Sequence, residues 1–148
     1  MTPVITNVRF GKWKAILEDA ALPGNYAYAN VLSHWARGMA MAKTNDLKRA
    51  KEELKYVRSK KDQPRMLVVM EPFNAPADAA GVAEKILEGV IAEQENDLAG
   101  AIHSFTQAVK NEDAMIYNVL KDWLLPAREF LGAALLKNGN FCKGRSGF

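Results

Sequence analysis

The chain has 148 residues, of which 49% are hydrophobic and 25% are charged, and its 20 Lys and Arg residues against 17 Asp and Glu residues give a net charge of +3. This length is typical of one domain with a buried core, and the composition excludes a wholly disordered chain. The single cysteine, Cys142, cannot form an internal disulfide. No apolar run approaches the length of a membrane span. The net charge is too small to indicate nucleic-acid binding by itself. The first residues lack the basic-then-apolar order of a secretory signal, so we expect a cytoplasmic protein.

Apolar residues recur at helical intervals along most of the chain, and Gly, Asn and Pro residues interrupt them. The pattern predicts seven helices, which in chain order cover 2–9, 11–20, 25–44, 46–60, 78–95, 97–111 and 124–138. The apolar run 66–70 has no second strand to pair with, so we expect it to pack on the helices as an extended segment. The predicted fold class is all-α.

Four predicted turns share one pattern, in which Gly or Asn is followed by a polar residue and then a large apolar residue. The turn residues are Gly11, Asn45, Asn96 and Gly139. Gly and Asn tolerate the left-handed backbone that ends a helix. Asp46, Asp97 and Asn140 follow where a side chain can cap the next helix. The sequence therefore predicts tight helix–turn–helix units.

Small residues recur at matched offsets inside these units. Gly38 precedes Ala50 by twelve residues, just as Gly89 precedes Ala101. Gly132 has the same place in a third unit. Small residues at fixed positions allow two helices to approach closely, while larger ones fill the space between neighbours.

These offsets resemble the tetratricopeptide repeat family, in which a Gly lies in the first helix of a pair, Gly or Asn at the turn, and Ala early in the second helix. On this resemblance the chain is one domain, 1–148, that consists of a partial repeat at 1–20, repeats at 31–62 and 82–113, and a partial repeat at 125–148. The repeat residues that the resemblance implies are Gly38, Ala50, Gly89, Ala101 and Gly132. The implied architecture is a right-handed α–α superhelix, a short solenoid with two insertions between repeats.

A narrower resemblance is to a bacterial group of long repeat proteins. It is carried by the stretches 9–13 and 34–38 and by Tyr117 followed by Trp123, Pro126 and Arg128. Members of that group carry Asn-Glu-Pro or Asp-Glu-Pro after the tyrosine, where this chain has Asn-Val-Leu at 118–120.

The last predicted helix has an unusual apolar surface. Gly144 occupies the place where a covering second helix would have Ala, so the face of 126–136 with Leu131, Leu135 and Leu136 lacks its usual cover. We expect either that the array is longer or that a second copy of the chain packs on this helix.

In the resembled family the first helix of each pair lines a concave groove that binds peptides. The groove residues implied here are Trp35, Met39, Lys43, Ile86, Val90, Glu93, Glu129 and Leu136. Members that hold a C-terminal carboxylate use Lys and Asn at several of these places, so the apolar residues here argue against a carboxylate clamp. Such a groove needs a cover, which is either an amphipathic helix of a partner or the insertion 63–80 of the chain itself.

Three functions remain open. The favoured one is a non-catalytic protein-interaction scaffold that binds a protein or peptide partner, with a homo-oligomer through helix 126–136 as one form and no cofactor or metal. The alternative is a small enzyme or ligand-binding domain with a pocket near His34, Arg37, Tyr117 and Arg128. The second alternative is nucleic-acid or acidic-partner binding through the basic helix 46–65, whose eight Lys and Arg residues exceed its four Asp and Glu residues. Nucleic acid is not favoured, because no aromatic stacking residues alternate with these charges.

Overall fold

The computed structural model describes residues 2–19, 27–67, 75–115 and 125–139. Within these ranges the chain forms α1 (Thr2–Arg9), α2 (Trp13–Glu18), α3 (Ala27–Lys43), α4 (Leu47–Lys61), α5 (Pro76–Gln94), α6 (Leu98–Ala114) and α7 (Ala127–Lys137), with a 3-10 helix at Pro64–Met66. The same ranges contain no strand. The predicted all-α class and its seven helices are confirmed, and the predicted helix ends lie within three residues of the observed ones.

Three helix pairs are joined by turns of one hydrogen-bonded form. The turn residue has a left-handed backbone in each pair, with φ of 66° at Gly11, 68° at Asn45 and 62° at Asn96. The N–H of the following residue donates to the carbonyl five positions back, from Lys12 to Asn7 (2.8 Å), from Asp46 to Met41 (2.8 Å) and from Asp97 to Ala92 (2.9 Å). This arrangement satisfies carbonyl groups that the helix end would otherwise leave without a partner. Gly139, with φ of 73°, follows α7 in the same backbone conformation.

The residue after two of these turns caps the next helix. The Asp46 carboxylate accepts a hydrogen bond from the Arg49 backbone N–H at 3.3 Å, and the Asp97 carboxylate accepts one from Gly100 at 3.0 Å. Both residues are N-caps, as the sequence predicts, and each fixes where its helix begins. The third predicted cap, Asn140, lies outside the described residues.

The helices pack in a regular order. The pairs α1–α2, α3–α4 and α5–α6 are hairpins whose two helices contact each other. The first helix of each hairpin also contacts the first helix of the next pair, as α3 contacts α5 and α5 contacts α7. The second helix of a hairpin also contacts the first helix that follows it, as α4 contacts α5 and α6 contacts α7. Successive hairpins therefore lie side by side, and their shared interfaces form the core.

Two glycines allow the helices to come together within and between hairpins. A Cβ atom at Gly89 would lie 2.4 Å from Cε1 of Phe105, and one at Gly38 would lie 2.7 Å from Cδ2 of Leu87. Ala50 and Ala101 are fully buried at the start of α4 and α6. Side chains larger than those present would separate the packed helices at these points.

The ends of the two predicted insertions belong to the packed structure. Met66 is 1% exposed, and its 3-10 helix contacts α3. Pro76 begins α5 because proline is compatible with the first turn of a helix, so the helix starts earlier than the predicted 78. The second predicted insertion lies between the repeat at 82–113 and the partial repeat at 125–148, and there α6 continues to Ala114. Residues 68–74 and 116–124 lie outside the described ranges.

Gly89→Ala is expected to lower the free energy of unfolding by about 1–3 kcal/mol, because the added methyl group overlaps the buried ring of Phe105. This cost exceeds the gain of about 1 kcal/mol that alanine brings to a helix interior. Urea denaturation followed by circular dichroism measures the difference.

Gly81→Ala is the matched control, because Gly81 lies in the same helix and, among the described residues, its added Cβ would meet no atom nearer than Asn111 Nδ2 at 3.8 Å. This variant is expected to be more stable than the wild type by about 0.5–1 kcal/mol. A shift of both variants in the same direction would contradict the role assigned to Gly89.

Candidate functional site

The eight predicted groove residues do not share one exposed surface. Trp35, Met39, Ile86 and Val90 are 0–1% exposed and belong to the core. Their helices α3 and α5 pack against each other, and the 3-10 helix that holds Met66 packs on α3. The structure therefore places these four side chains between packed elements and not on the wall of an open groove.

The other four predicted groove residues lie on three different helices, α3, α5 and α7. Lys43 is exposed at the end of α3, and Glu129 is exposed on α7. The side chain of Glu93 is 10% exposed and accepts a hydrogen bond from Lys137 Nζ at 3.1 Å, which connects α5 with α7. Leu136 is 47% exposed on α7. A partner can thus reach Lys43, Glu129 and Leu136 without displacing the core.

The two faces of α7 differ. Gly132 and Ala134 are buried, and Phe130 packs with its ring centroid 5.8 Å from that of Phe105 on α6. Leu136 is exposed, Leu135 is half-buried, and Leu131 is half-buried and packs against the core. Of the three leucines predicted to lack a cover, Leu131 is therefore partly covered by the chain itself, and Leu136 is the accessible one.

The first part of the alternative pocket is an ion-pair cluster between α3 and α4. His34 Nδ1 lies 2.5 Å from Glu53 Oε2, and the imidazole ring stacks on Tyr56 with the centroids 3.7 Å apart. Arg37 Nε lies 3.6 Å from the other oxygen of the same carboxylate. His34 and Arg37 thus share Glu53 as a partner, which sequence reasoning missed.

The second part of that pocket lies elsewhere. Arg128 Nη2 donates to both carboxylate oxygens of Asp113, at 2.7 and 2.9 Å, and connects α7 with α6. Tyr117 lies outside the described residues. The structure therefore brings His34 and Arg37 together but places Arg128 in a different cluster.

Carboxylates of α5 partner several cations of the basic helix. Arg58 Nε donates to Glu84 Oε1 at 2.9 Å, and Arg58 Nη2 lies 3.2 Å from Glu88 Oε2. Lys61 also donates to Glu84, and Lys51 donates to Glu95 at the end of the helix. These cations already neutralise carboxylates of the neighbouring helix, which leaves fewer of them for the phosphates of a nucleic acid.

Glu84 is the buried centre of this network, with only 4% of its surface exposed. Burial raises the pKa of the Glu84 carboxyl, but the hydrogen bonds from Lys61 and Arg58 and the nearby positive charges outweigh it, so the pKa is lowered. Burial in turn lowers the pKa of Arg58, but Glu84 and Glu88 outweigh it and raise that pKa. Both groups are therefore held in their charged forms.

A cleft of about 400 Å³ lies between α4 and α6. Leu54 and Ile91 give it an apolar floor, and His103 and Lys55 stand among its polar lining residues. The acidic and basic side chains along it include both members of the Lys51–Glu95 pair. The cleft therefore has little net charge with which to select a ligand.

Among the described residues, no three His, Cys, Asp or Glu side chains converge as metal ligands. None of the described helices combines the length and the apolar character that crossing a membrane requires. Cys142 lies outside the described ranges.

No protein-family model, curated protein or solved structure matches the chain. The resemblance to tetratricopeptide repeats therefore stays a prediction drawn from the residues.

Glu84→Gln is expected to lower the free energy of unfolding by about 1–3 kcal/mol near neutral pH, because it removes the buried charge that Arg58 and Lys61 neutralise. Folding lowers the pKa of Glu84 below its ordinary value of 4.5, so the stability from the carboxylate is complete above that pH. It is lost as the pH falls through the folded pKa. Urea denaturation at a series of pH values should show the difference between wild type and variant shrinking in acid.

Glu88→Gln is the matched control one helical turn further along α5. The Glu88 side chain is 31% exposed, and its ion pairs with Arg58 and Lys85 are partly solvated. We expect this variant to lose less than about 1 kcal/mol. An equal loss in the two variants would show that burial of Glu84 is not the cause.

Proposed function

We propose that the chain is a non-catalytic protein-interaction scaffold of the tetratricopeptide type, in which the helix pairs form a short right-handed solenoid. The proposal keeps the expected cytoplasmic location and requires no cofactor. Its partner is a protein or peptide segment, and a second copy of the chain that packs on helix 126–136 is one such partner.

The observation that carries the proposal is the equivalence of the hairpins α3–α4 and α5–α6. Asn45 and Asn96 have the same left-handed backbone, and Asp46 and Asp97 make the same cap. Both helices of each hairpin also contact the first helix that follows, α5 after the hairpin α3–α4 and α7 after α5–α6. Proteins that repeat one hairpin in this way have extended surfaces, and they commonly use those surfaces to bind other proteins.

The charged contacts of the described residues support a structural use of the ionisable groups. The pairs that connect neighbouring helices include Lys51 with Glu95, Lys137 with Glu93, and Arg128 with Asp113. A catalytic site would instead need groups that converge on one sheltered position. The contacts described for His34, Arg37 and Arg128 lie in two separate clusters, which favours the scaffold over the enzyme.

The accessible apolar face of α7 is the proposed contact surface. Leu136 is the most exposed large hydrophobic residue of α7, at 47%, with Ala133 and Glu129 exposed beside it. Apolar side chains with charged neighbours are the usual composition of a protein interface, where the apolar part is buried and the charges remain at the rim. The neighbouring Lys137 pairs with Glu93 and places a charged group at the edge of this face.

Leu136→Glu is expected to weaken association through α7 by about 10-fold or more. The substitution places a charge where the complex would bury an apolar side chain. Light scattering over a range of concentrations tests for a second copy of the chain. Photocrosslinking from residue 136 in lysate of the source organism tests for a different protein, whose capture the unlabelled wild-type chain should reduce.

Lys110→Glu is the control, because Lys110 is exposed on a different helix, α6, and the substitution introduces the same negative side chain. A chain that stays monomeric and captures no competed protein, and that converts a compound in a substrate screen, would overturn the scaffold and favour the enzyme.

A further inference from the structure

The turn between α1 and α2 presents an aromatic side chain to solvent. Phe10 is 69% exposed, the highest value among the large hydrophobic residues described. Its backbone is held in place, because its own N–H donates to the Thr6 carbonyl at 3.0 Å and the N–H of Lys12 donates to Asn7 at 2.8 Å. The exposed ring therefore projects from an ordered helix end.

Three exposed cations lie close to Phe10 in the sequence. Arg9 and Lys12 flank Phe10 in sequence and are exposed, and neither forms an ion pair in the described part of the chain. Lys14 is also exposed, and its contact with Glu18 spans 3.8 Å at the surface. Because exposed pairs of this kind contribute little, Lys14 can exchange Glu18 for another carboxylate. These cations differ from those of α4, three of which hold carboxylates of α5.

A concavity of about 640 Å³ lies beside the turn. Its lining includes Lys12, Trp13 and Lys14, together with Glu18 of α2 and Thr44 of the next turn. Trp13 is half-buried, and its indole lies under Gly11, where an added Cβ would be 3.7 Å from the ring. The concavity is shallow and open to solvent, so it offers a bound side chain contact on one side and does not enclose it.

The charge changes sign along the row of turns. The turn between α5 and α6 carries Glu95 and Asp97, and the contact of Glu95 with Lys51 places it beside the start of α4. A flat anionic membrane that lay along the turns would meet the exposed carboxylate of Asp97, while Glu95 already neutralises the nearby Lys51. The positive region is local, which suits a short acidic segment better than an extended anionic surface.

We propose that the turn patch, defined as Arg9, Phe10, Lys12, Trp13 and Lys14, binds an acidic peptide segment of a protein partner that also carries an apolar side chain. The carboxylates of the segment pair with Arg9, Lys12 and Lys14, and its apolar side chain packs against Phe10 or enters the concavity beside Trp13. The proposal rests on the proposed function in that the partner is a protein. It adds the chemistry of the bound segment and a second surface, distinct from α7.

The test uses a fluorescein-labelled peptide, Glu-Glu-Glu-Leu-Phe-Glu-Glu-Glu, and measures binding to the full chain by fluorescence anisotropy. We expect saturable binding that weakens as salt is added, since the attraction is between exposed charges. A peptide with Lys in place of Glu is expected not to bind. A peptide with Ser-Ser in place of Leu-Phe is expected to bind more weakly, because the apolar contact is missing.

Variants of the chain locate the site. Lys12→Glu and Phe10→Ser are each expected to weaken binding of the first peptide by about 5- to 10-fold. Lys110→Glu, which makes the same charge change on α6, is expected to bind as the wild type does. All three positions are exposed, so circular dichroism should show unchanged melting.

Besides failure of the first peptide to bind, three results would overturn the turn patch. One is equal binding of that peptide by the Lys12→Glu and Lys110→Glu variants. The others are tighter binding than that of the peptide by vesicles of phosphatidylcholine and phosphatidylserine or by single-stranded oligothymidine. If the peptide fails while residue 136 still captures a competed protein, the turn patch is wrong and the scaffold stands. If both fail, the scaffold is overturned as well.

Discussion

The close approach of helices, both within a pair and between neighbouring pairs, is the constraint on which the rest of the structure depends. Phe105 lies against the bare backbone of Gly89, and Leu87 lies against that of Gly38. A helix pair that could not close at these points would not present the same interface to the next pair. The left-handed turn residues Asn45 and Asn96 complete the constraint, because they set the register in which the two helices of a pair meet.

The electrostatics divide the charged residues into two groups with different uses. Arg58 and Lys61 hold the buried Glu84 and so connect the second helix of one hairpin with the first helix of the next. Such a contact contributes to cohesion because an unpaired carboxylate in that position would be costly. The cations at the first turn have no comparable partner, and they remain available to other molecules.

Much of the fold follows from the sequence, because its signals are local. Gly11, Asn45 and Asn96 predict turns through their backbone preference, and Asp46 predicts a cap through its reach to a nearby N–H. The exposure of the groove residues could not be predicted in this way. Trp35 and Ile86 have the spacing of a first-helix face, but their burial depends on elements that pack from elsewhere in the chain.

The same distinction explains which parts of the candidate site were missed. Arg58 and Lys61 recur one turn apart on α4, as Glu84 and Glu88 do on α5, so a signal for the ion network was present in the spacing. Choosing α5 as the partner helix, however, requires knowing which hairpins are adjacent.

The side-by-side packing has a further consequence for local opening. The helices α1 and α2 are only 8 and 6 residues long and have a neighbouring hairpin on one side within the described structure, so their amide protons should exchange with solvent sooner than those of α5. A molecule that binds this first hairpin would slow the exchange of its amide protons. The stack would then stay closed from α1 onwards for a larger share of the time.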